Sequence, residues 1–176
     1  VLSVDITGPH PRSRDGNEYI LTAVDVFSKW AEAIPIRAHT AVIVAKRLVD
    51  HVFSKFGVPL RLLSDQGPEF ESELMAELCR THGIEKIRTT SYKPSTNGVC
   101  ERFHRTLNSM LGKVVSESQR DWDRHVGPVM AAYRATVHKS TGYTPNFLVL
   151  GRENRAPVDL VLAVGDDEPT GVGAST

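Results

Sequence analysis

The chain is poor in cysteine, carries no net charge and contains no long hydrophobic run. Cys79 and Cys100 are its only cysteines among 176 residues. Two are too few for a disulfide framework, so reduced thiols in an intracellular protein are expected. No apolar run reaches the roughly 20 residues of a membrane span, and no basic-then-apolar signal opens the chain. These absences argue against a membrane protein and against a disulfide-rich secreted protein.

The balance of charge limits how nucleic acid could bind. There are 21 Lys and Arg residues against 21 Asp and Glu residues, which gives a formal net charge of zero. Because phosphate binding needs local positive charge, contact with nucleic acid would have to come from a patch. A hydrophobic content of 40% and a charged content of 24% are ordinary for a globular protein of one domain.

The hydrophobic patterns predict strands early in the chain and helices later. Strands are expected at 1–7, 19–27, 30–36, 60–65 and 84–89. Helices are expected at 40–56, at 68–82 beginning with Pro68, after Gly98, and at 121–138, with a short helix or turn at 143–151. Pro35 suggests that the third strand lies at a sheet edge. This order favours a mixed α/β fold.

Apolar stripes identify the expected inner faces of two of these helices. The stripe of the first helix consists of Val42, Ala45, Leu48, Val49, Val52, Phe53 and Phe56. The stripe of the second consists of Phe70, Leu74, Leu78 and Cys79.

Three acids occupy positions that suit metal binding. Asp5 and Asp65 lie near strand ends, and Glu101 is expected in the first turn of a helix, where the helix dipole favours an anion. Carboxylates on separate elements suit Mg²⁺ or Mn²⁺. Two such ions could support phosphoryl transfer. Spacing alone does not exclude a purely structural role for these acids, because an Asp at a strand end commonly forms a turn.

The segments around these acids resemble a known family. They are Val4–Pro9, Ser64–Phe70 and Pro94–Arg102, and 35 residues separate Asp65 from Glu101. Together with 24–30 and 141–145, they resemble the catalytic core of retroviral and gypsy-type retrotransposon integrases, from Val1 to about Leu160. The resemblance implies an RNase H-like fold, with a mixed five-stranded sheet flanked by helices.

The resemblance also implies an activity and a domain arrangement. The activity is polynucleotidyl transfer, in which element DNA ends are trimmed and joined to target DNA in the nucleus. Asp5, Asp65 and Glu101 would hold two Mg²⁺ or Mn²⁺ ions. Residues 1–160 would form the core, and 161–176 are expected to be a disordered tail. Related integrases carry flanking zinc and DNA-binding modules, so the chain is expected to be a piece of a longer protein that forms dimers or higher oligomers.

Several residues near Glu101 are candidate DNA contacts. Arg105 and Asn108 share a helix face with Glu101, and Arg102 is adjacent. In similar integrases these loop and helix positions contact the DNA end. The predicted contacts to element DNA are Tyr92, Lys93, Asn97, Arg102, Arg105 and Asn108. By the same likeness, the Gly67-Pro68-Glu69 segment is expected where target DNA would pass.

Other polar residues favour structural roles. Asp25 is expected to form a turn, and His104 and His125 are expected to be surface or hydrogen-bonded residues. Glu69, Glu71 and Glu73 are interpreted as acids that favour a helix N-terminus. An Asn is frequent in the family where His104 stands here.

Two further functions stay open. One is a domesticated, non-catalytic binding or scaffold module, which loss of an acid would have favoured. The other is an RNase H-like nuclease acting on RNA–DNA hybrids, which the 94–101 and 141–145 segments argue against.

Overall fold

A five-stranded mixed sheet forms the centre of the molecule. The computed structural model describes residues 1–88 and 94–154, and of residues 94–97 it describes the backbone alone. The strands are β1 (Leu2–Thr7), β2 (Tyr19–Asp25), β3 (Ala31–Ile36), β4 (Arg61–Ser64) and β5 (Glu85–Arg88), in the order β3-β2-β1-β4-β5. The β1–β2 and β2–β3 pairs are antiparallel, and β1–β4 and β4–β5 are parallel. The predicted mixed sheet is confirmed, and Pro35 lies on the edge strand β3, which tolerates its missing N–H.

Helices cover both faces of the sheet. They are α1 (Ala41–Leu48), a π-helical turn (Val49–Phe53), α2 (Ser54–Phe56), α3 (Glu73–Thr81), α4 (Pro94–Leu111), α5 (Trp122–Arg134) and α6 (Pro145–Leu150). Alternation along β2 separates two cores. Leu21 and Ala23 pack with α1 and α3, whereas Ile20 and Val24 pack with α4 and α5. Within the described residues, no helix combines the length and hydrophobicity that crossing a membrane requires.

The first helical segment differs from the uniform helix that was predicted for 40–56. Thr40 precedes α1 as expected, but Val49–Phe53 forms a π-helical turn. Because the π turn rotates the following residues relative to an α-helical stripe, Phe56 is 42% exposed instead of buried. Val42 is 66% exposed, and Val44 takes the inward position.

The predicted start of the next helix at Pro68 is wrong. Residues 68–70 form a turn, and α3 begins only at Glu73, because the Ser72 hydroxyl accepts from the Met75 N–H and caps the helix there. The later start changes the inner face. Met75 is fully buried, and Leu74, predicted to face inwards, is 43% exposed.

The predicted start of α4 after Gly98 is also wrong. The helix begins at Pro94, because proline is well suited to a first helical position, where no backbone donor is needed. Glu101 therefore lies inside the helix and not in its first turn, so the argument from the helix dipole does not apply to it.

Helices α5 and α6 agree with the sequence except at the end of α5. Helix α5 stops at Arg134 instead of 138, because the His138 N–H turns back to donate to the Tyr143 carbonyl. The segment at 145–150 is helical and is capped by Thr144. The predicted contacts Tyr92 and Lys93 and the tail 161–176 lie outside the described residues.

We predict that the two neighbouring residues of α3 differ sharply in their contribution to stability. Met75→Ala should lower the free energy of unfolding by about 2–5 kcal/mol, because it leaves a cavity in the core. Leu74→Ala, on the half-exposed face, should cost less than about 1 kcal/mol. Urea unfolding followed by circular dichroism measures both, and equal losses would contradict the inner face assigned to α3.

Candidate active site

The parallel pairing of β1 with β4 brings two of the predicted acids together. Leu2 pairs with Leu62 and Ser3 with Leu63. Continued for two residues, this register sets Asp5 beside Asp65, which directly follows β4. Since the two acids are neighbours across these adjacent strands, their carboxylates repel each other, and the Asp65 charge contributes to raising the pKa of Asp5.

Burial is the main cause of the raised pKa of Asp5. It raises the pKa of this carboxyl group from 3.8 to about 6. The Ile6 N–H donates to Asp5 Oδ1 at 2.8 Å and opposes the shift, and the charges of Asp65 and Glu69 reinforce it. Asp5 is therefore a carboxylate whose negative charge the surrounding protein does not neutralise.

Glu69 is a third acid at this site, and its interpretation as a helix N-terminal acid is wrong, because α3 begins only at Glu73. The Gly67 N–H donates to Asp65 Oδ1 at 3.0 Å, and the turn at 68–70 folds Glu69 back towards Asp65. A Cβ atom on Gly67 would lie 3.0 Å from Glu69 Oε1 and 3.1 Å from Asp65 Oδ1. The Glu69 side chain is only 11% exposed and lies 3.5 Å from His39 Nδ1. The Gly67-Pro68 pair shortly after Asp65 is the sequence feature that indicates a turn at this point.

The other two acids of the 69–73 group have separate roles. Glu71 pairs with Lys86 and Arg88 across to β5, so its interpretation as a helix N-terminal acid is wrong. Glu73 is the first residue of α3 and does lie in the first turn of that helix.

His104 is tied to Asp5 through a buried hydroxyl. The Thr22 hydroxyl donates to the Asp5 carbonyl at 3.0 Å and lies 2.8 Å from His104 Nε2. The Thr22 hydroxyl has one proton, and it is donated to the Asp5 carbonyl. The hydrogen bond between Thr22 and His104 is therefore donated by His104 Nε2–H. The other nitrogen, Nδ1, faces Asp5 Oδ2 at 3.8 Å. Burial lowers the pKa of His104, which favours the neutral ring.

Cys100 anchors α4 against β1 beneath the acid pair. Its thiol lies 3.0 Å from the Ser3 hydroxyl, and both side chains are buried. Burial, with further repulsion by Asp5 and Asp65, raises the pKa of the thiol to about 12. Because a buried neutral thiol is a poor nucleophile, Cys100 is expected to react slowly with oxidants and alkylating agents.

Glu101 does not join Asp5 and Asp65 in this structure. Its side chain is 70% exposed and lies 3.5 Å from Arg105 Nη2. Within 1–88 and 98–154, no three His, Cys, Asp or Glu side chains are grouped so that they could hold a metal ion. The assignment of Glu101 as the third ligand stays a prediction.

The predicted DNA contacts are dispersed around α4 and the turn after Asp65. Arg102 and Arg105 line a cleft beside α4, and Asn108 lines a separate groove near Trp122. Pro68 lines a third groove together with Glu69 and His39. The side chain of Asn97 lies outside the described residues. Contact with DNA stays a prediction for each of these residues.

The residues interpreted as structural behave as expected. Asp25 Oδ2 accepts from the N–H and hydroxyl of Ser28 at 2.8 and 2.7 Å, which closes the β2–β3 turn. His125 pairs with Asp121 at 3.2 Å.

Comparisons with known proteins identify the family of the chain. The family model described as "Integrase core domain" matches residues 1–94. The chain is 34% identical over 154 residues to the retrovirus-related Pol polyprotein from transposon 412 of Drosophila melanogaster, covering 88% of this chain and 12% of the polyprotein. It is 36% identical over 149 residues to the Pol polyprotein of feline endogenous virus ECE1, covering 84% and 14%.

Solved structures show the same architecture. The crystal structure of the catalytic core domain of BIV integrase matches with a TM-score of 0.66 and 27% identity, over 85% of this chain and 93% of that one. The HTLV-2 integrase catalytic core domain in complex with magnesium matches with a TM-score of 0.66 over 84% and 93%, and at 19% identity it supports the fold alone. The fold is thus RNase H-like, that of retroviral integrase cores. The chain belongs to the integrase core domain family, and it spans a small part of the polyproteins it resembles.

We predict that the charge of Asp5 destabilises the folded chain in the absence of divalent ions. The folded state keeps the Asp5 proton up to about pH 6, whereas the unfolded chain releases it near 3.8. Stability is therefore lost as pH rises between these values, and the whole cost is present above pH 6. In EDTA at pH 8, Asp5→Asn should raise the free energy of unfolding by about 1–3 kcal/mol.

The pH dependence shows whether the gain in stability comes from removing the Asp5 charge or from better packing of the Asn side chain. The gain should vanish near pH 4, where Asp5 is protonated in the folded state. Asp15→Asn, at an exposed acid paired with Arg124, should show no gain at pH 8. A gain of equal size at both pH values would contradict the electrostatic cause.

We predict a separate cost for breaking the link from Thr22 to His104. Thr22→Val keeps the shape of this fully buried side chain but leaves His104 Nε2–H and the Asp5 carbonyl without the hydroxyl. Unfolding in urea should show a loss of about 1–3 kcal/mol. Thr22→Ser keeps the hydroxyl and should lose no more than about 1 kcal/mol. A larger loss in the Ser variant than in the Val variant would refute the hydrogen-bonded link.

Proposed function

We propose that this chain is the catalytic core of an integrase, a Mg²⁺-dependent polynucleotidyl transferase that trims the 3′ ends of element DNA and joins them to target DNA. One observation carries the proposal, namely that β1 and β4 of an integrase-core fold place Asp5 beside Asp65. Because the relatives are far longer than this chain, the activity of a whole polyprotein does not transfer to it directly.

The chemistry of the donor set fits a hard divalent cation. Asp5 and Asp65 are neighbours, Glu69 adds a third negative charge, and no Lys or Arg among the described residues forms an ion pair with any of them. Burial favours the neutral form of His104. Carboxylate oxygens are preferred by Mg²⁺ and Mn²⁺. The similar HTLV-2 core was solved in complex with magnesium, which supports the choice of ion.

We assign Asp5, Asp65 and Glu101 as the residues that would hold two ions. When bound, the ions would supply activation of the attacking water or DNA 3′-OH and stabilisation of the departing 3′ oxygen. Glu101 directly follows Cys100, whose thiol contacts Ser3, two residues before Asp5 on β1. The backbone that carries Glu101 is thus anchored at the acid pair, even though its carboxylate points to solvent.

The neighbouring residues would prepare the acid pair for this role. The Ile6 N–H fixes one oxygen of Asp5, and the Gly67 N–H fixes one oxygen of Asp65. Each carboxylate keeps its second oxygen for a ligand. Groups held in this way lose little conformational entropy when a ligand binds.

Element DNA ends and target DNA are the proposed partners, and action in the nucleus follows from them. The similar HTLV-2 integrase catalytic core domain is described in a trimeric and a dimeric form. Self-association of this chain into a dimer or higher oligomer is therefore part of the proposal.

A non-catalytic binding module is the second candidate, and the position of Glu101 is the observation that favours it. The carboxylate is exposed and paired with Arg105 instead of joining the other two acids. Calorimetric titration with Mg²⁺ separates the candidates, because a scaffold should release no heat that Asp5→Asn or Asp65→Asn abolishes.

A strand-cutting and disintegration assay with Mn²⁺ tests the assignment of the acids. Asp65→Asn and Glu101→Gln should each lower the rate by at least about 100-fold, more than the loss of an outer-shell partner. Glu69→Gln should lose less than about 10-fold, because it adds charge to the site without being assigned as a ligand. Glu77→Gln, at an exposed acid of α3, is the matched control.

The outcomes separate three assignments. If Glu101→Gln cuts as well as the unmodified chain, Glu101 is not the third ligand. If Glu69→Gln is as damaging as Asp65→Asn, Glu69 takes that place. A preference for RNA–DNA hybrid over duplex DNA would identify the chain as a hybrid nuclease.

A further inference from the structure

A small pocket lies near the start of β1, away from the acid pair. Its volume is about 270 Å³, and its wall includes Leu2 on β1, Trp30 just before β3, Phe56 at the end of α2 and Val149 on α6. Leu2 is three residues before Asp5, so at about 3.3 Å per strand residue their Cα atoms are roughly 10 Å apart. The pocket is therefore separate from the candidate active site.

Two aromatic rings form a corner in the wall of the pocket. The centroids of the Trp30 and Phe56 rings are 5.3 Å apart, and the ring planes meet at 62°. The indole already contacts one cation, because the Arg134 guanidinium carbon lies 4.9 Å from its centroid. Arg134 is not among the described residues that line the pocket, whereas Trp30 is. The corner therefore offers aromatic surface to a second group.

The charged side chains in the pocket wall are both acidic. They are Asp25 and Glu32, and among the residues that the structure describes no Lys, Arg or His side chain lines the pocket. The α-ammonium nitrogen of Val1 lies 3.6 Å from Asp25 Oδ1. Because both partners of this pair are more than a third exposed, solvent weakens their attraction, and another cation can replace the α-ammonium group. The wall thus favours a positively charged ligand.

The acceptors in the wall are largely in use, which decides the kind of cation. Glu32 Oε1 accepts from Trp30 Nε1–H at 3.1 Å, and Glu32 Oε2 lies 3.3 Å from Arg134 Nη1. Asp25 Oδ2 accepts from the N–H and the hydroxyl of Ser28. A primary ammonium group brings three N–H donors, and donors that find no acceptor in a pocket weaken binding. A quaternary ammonium group has no N–H, so it avoids this cost.

The size of the pocket and its aliphatic wall limit the ligand further. The volume is just below the roughly 300 Å³ at which pockets for drug-sized ligands begin, so the pocket suits a single side chain. Beyond the two rings the wall includes Leu2, Val52 and Pro59, which suit a chain of methylene groups. A trimethylated lysine side chain has both features, because it carries a quaternary ammonium group on a four-carbon stem.

We propose that this pocket binds a trimethylated lysine side chain of a partner protein, with the quaternary ammonium group against Trp30 and Phe56 and its charge facing Asp25. The rings and the carboxylate attract the cation, and the aliphatic wall covers the stem. The proposal does not rest on the proposed function, because neither the acid pair nor a divalent ion takes part in this binding.

Nuclear magnetic resonance titration in EDTA tests the site, with the Trp30 indole N–H as the reporter. The probe is a capped glycine-rich peptide with one trimethylated lysine. Its matched control carries a tert-butyl group in place of the trimethylammonium group. The charged peptide should bind at least about 3-fold more tightly than this uncharged analogue. It should also bind at least about 3-fold more tightly than the peptide with unmethylated lysine, whose N–H donors would be left unpaired.

Two leucine substitutions test the aromatic corner. Phe56→Leu keeps an apolar group but removes the ring, so it should weaken binding of the charged peptide at least about 3-fold and change that of the uncharged analogue less than about 2-fold. Phe147→Leu is the matched control, because Phe147 is exposed to a similar degree, 44% against 42%, and does not line the pocket. This variant should bind both peptides as the unmodified chain does.

Changing the present partner of Asp25 tests the role of its charge. Acetylation of the Val1 α-amino group removes the α-ammonium charge next to Asp25 Oδ1. Binding of the charged peptide should then tighten about 2-fold or more, because the competing ion pair is lost. Asp25→Asn in the acetylated chain should abolish this gain and leave binding of the uncharged analogue unchanged.

Three results would overturn the proposal. Equal binding of the charged peptide and its uncharged analogue would show an apolar pocket without selectivity for cations. Equal effects of Phe56→Leu and Phe147→Leu would exclude the aromatic corner. Choline binding as tightly as the trimethylated peptide would assign the pocket to a free small cation, because choline carries the same ammonium group without the four-carbon stem.

Discussion

The parallel hydrogen bonding of β1 to β4 sets two partly buried carboxylates side by side where β4 ends. The surrounding structure accommodates their repulsion. The strands that carry them are fixed by side chains with almost no solvent exposure, including Leu62 and Leu63. Burial in such a core stabilises each side chain by roughly 1.5–3 kcal/mol. The core can therefore hold Asp5 next to Asp65 even though burial and repulsion disfavour the charge of Asp5. A site destabilised in this way is stabilised by a cation that binds only the folded state.

Helix α4 is the element that joins the acid pair to two of the predicted DNA contacts. Its inner face places Cys100 against Ser3 and His104 against Thr22, which fixes the helix beside the acid pair. Arg102 and Arg105 are on the side that lines the cleft beside α4. Because one rigid helix carries both sets of residues, a strand held in the cleft would have a fixed position relative to Glu101, which is how positioning contributes to catalysis.

The sequence was informative where one interaction decides the structure, and misleading where several compete. The β-branched runs predicted the strands, and their order favoured a mixed α/β fold. The five-stranded mixed sheet and the approach of Asp5 to Asp65 were implied by the resemblance to integrase cores. The sequence could not show that Ser72 would outcompete Pro68 as the start of α3, which moved Met75 inwards. The return of Glu69 to the acid pair and the π-helical turn at 49–53 both depend on tertiary packing that no local pattern encodes.

Crystals soaked with Mn²⁺ and measured at its absorption edge test the central claim most directly. The account predicts anomalous density bound by Asp5 and Asp65, with Glu101 turned from its contact with Arg105 to complete the ligand set. Density bound by Asp5, Asp65 and Glu69 while an ordered Glu101 still contacts Arg105 would contradict the proposed triad. No density at the acid pair at saturating Mn²⁺ would contradict the metal-dependent function as a whole.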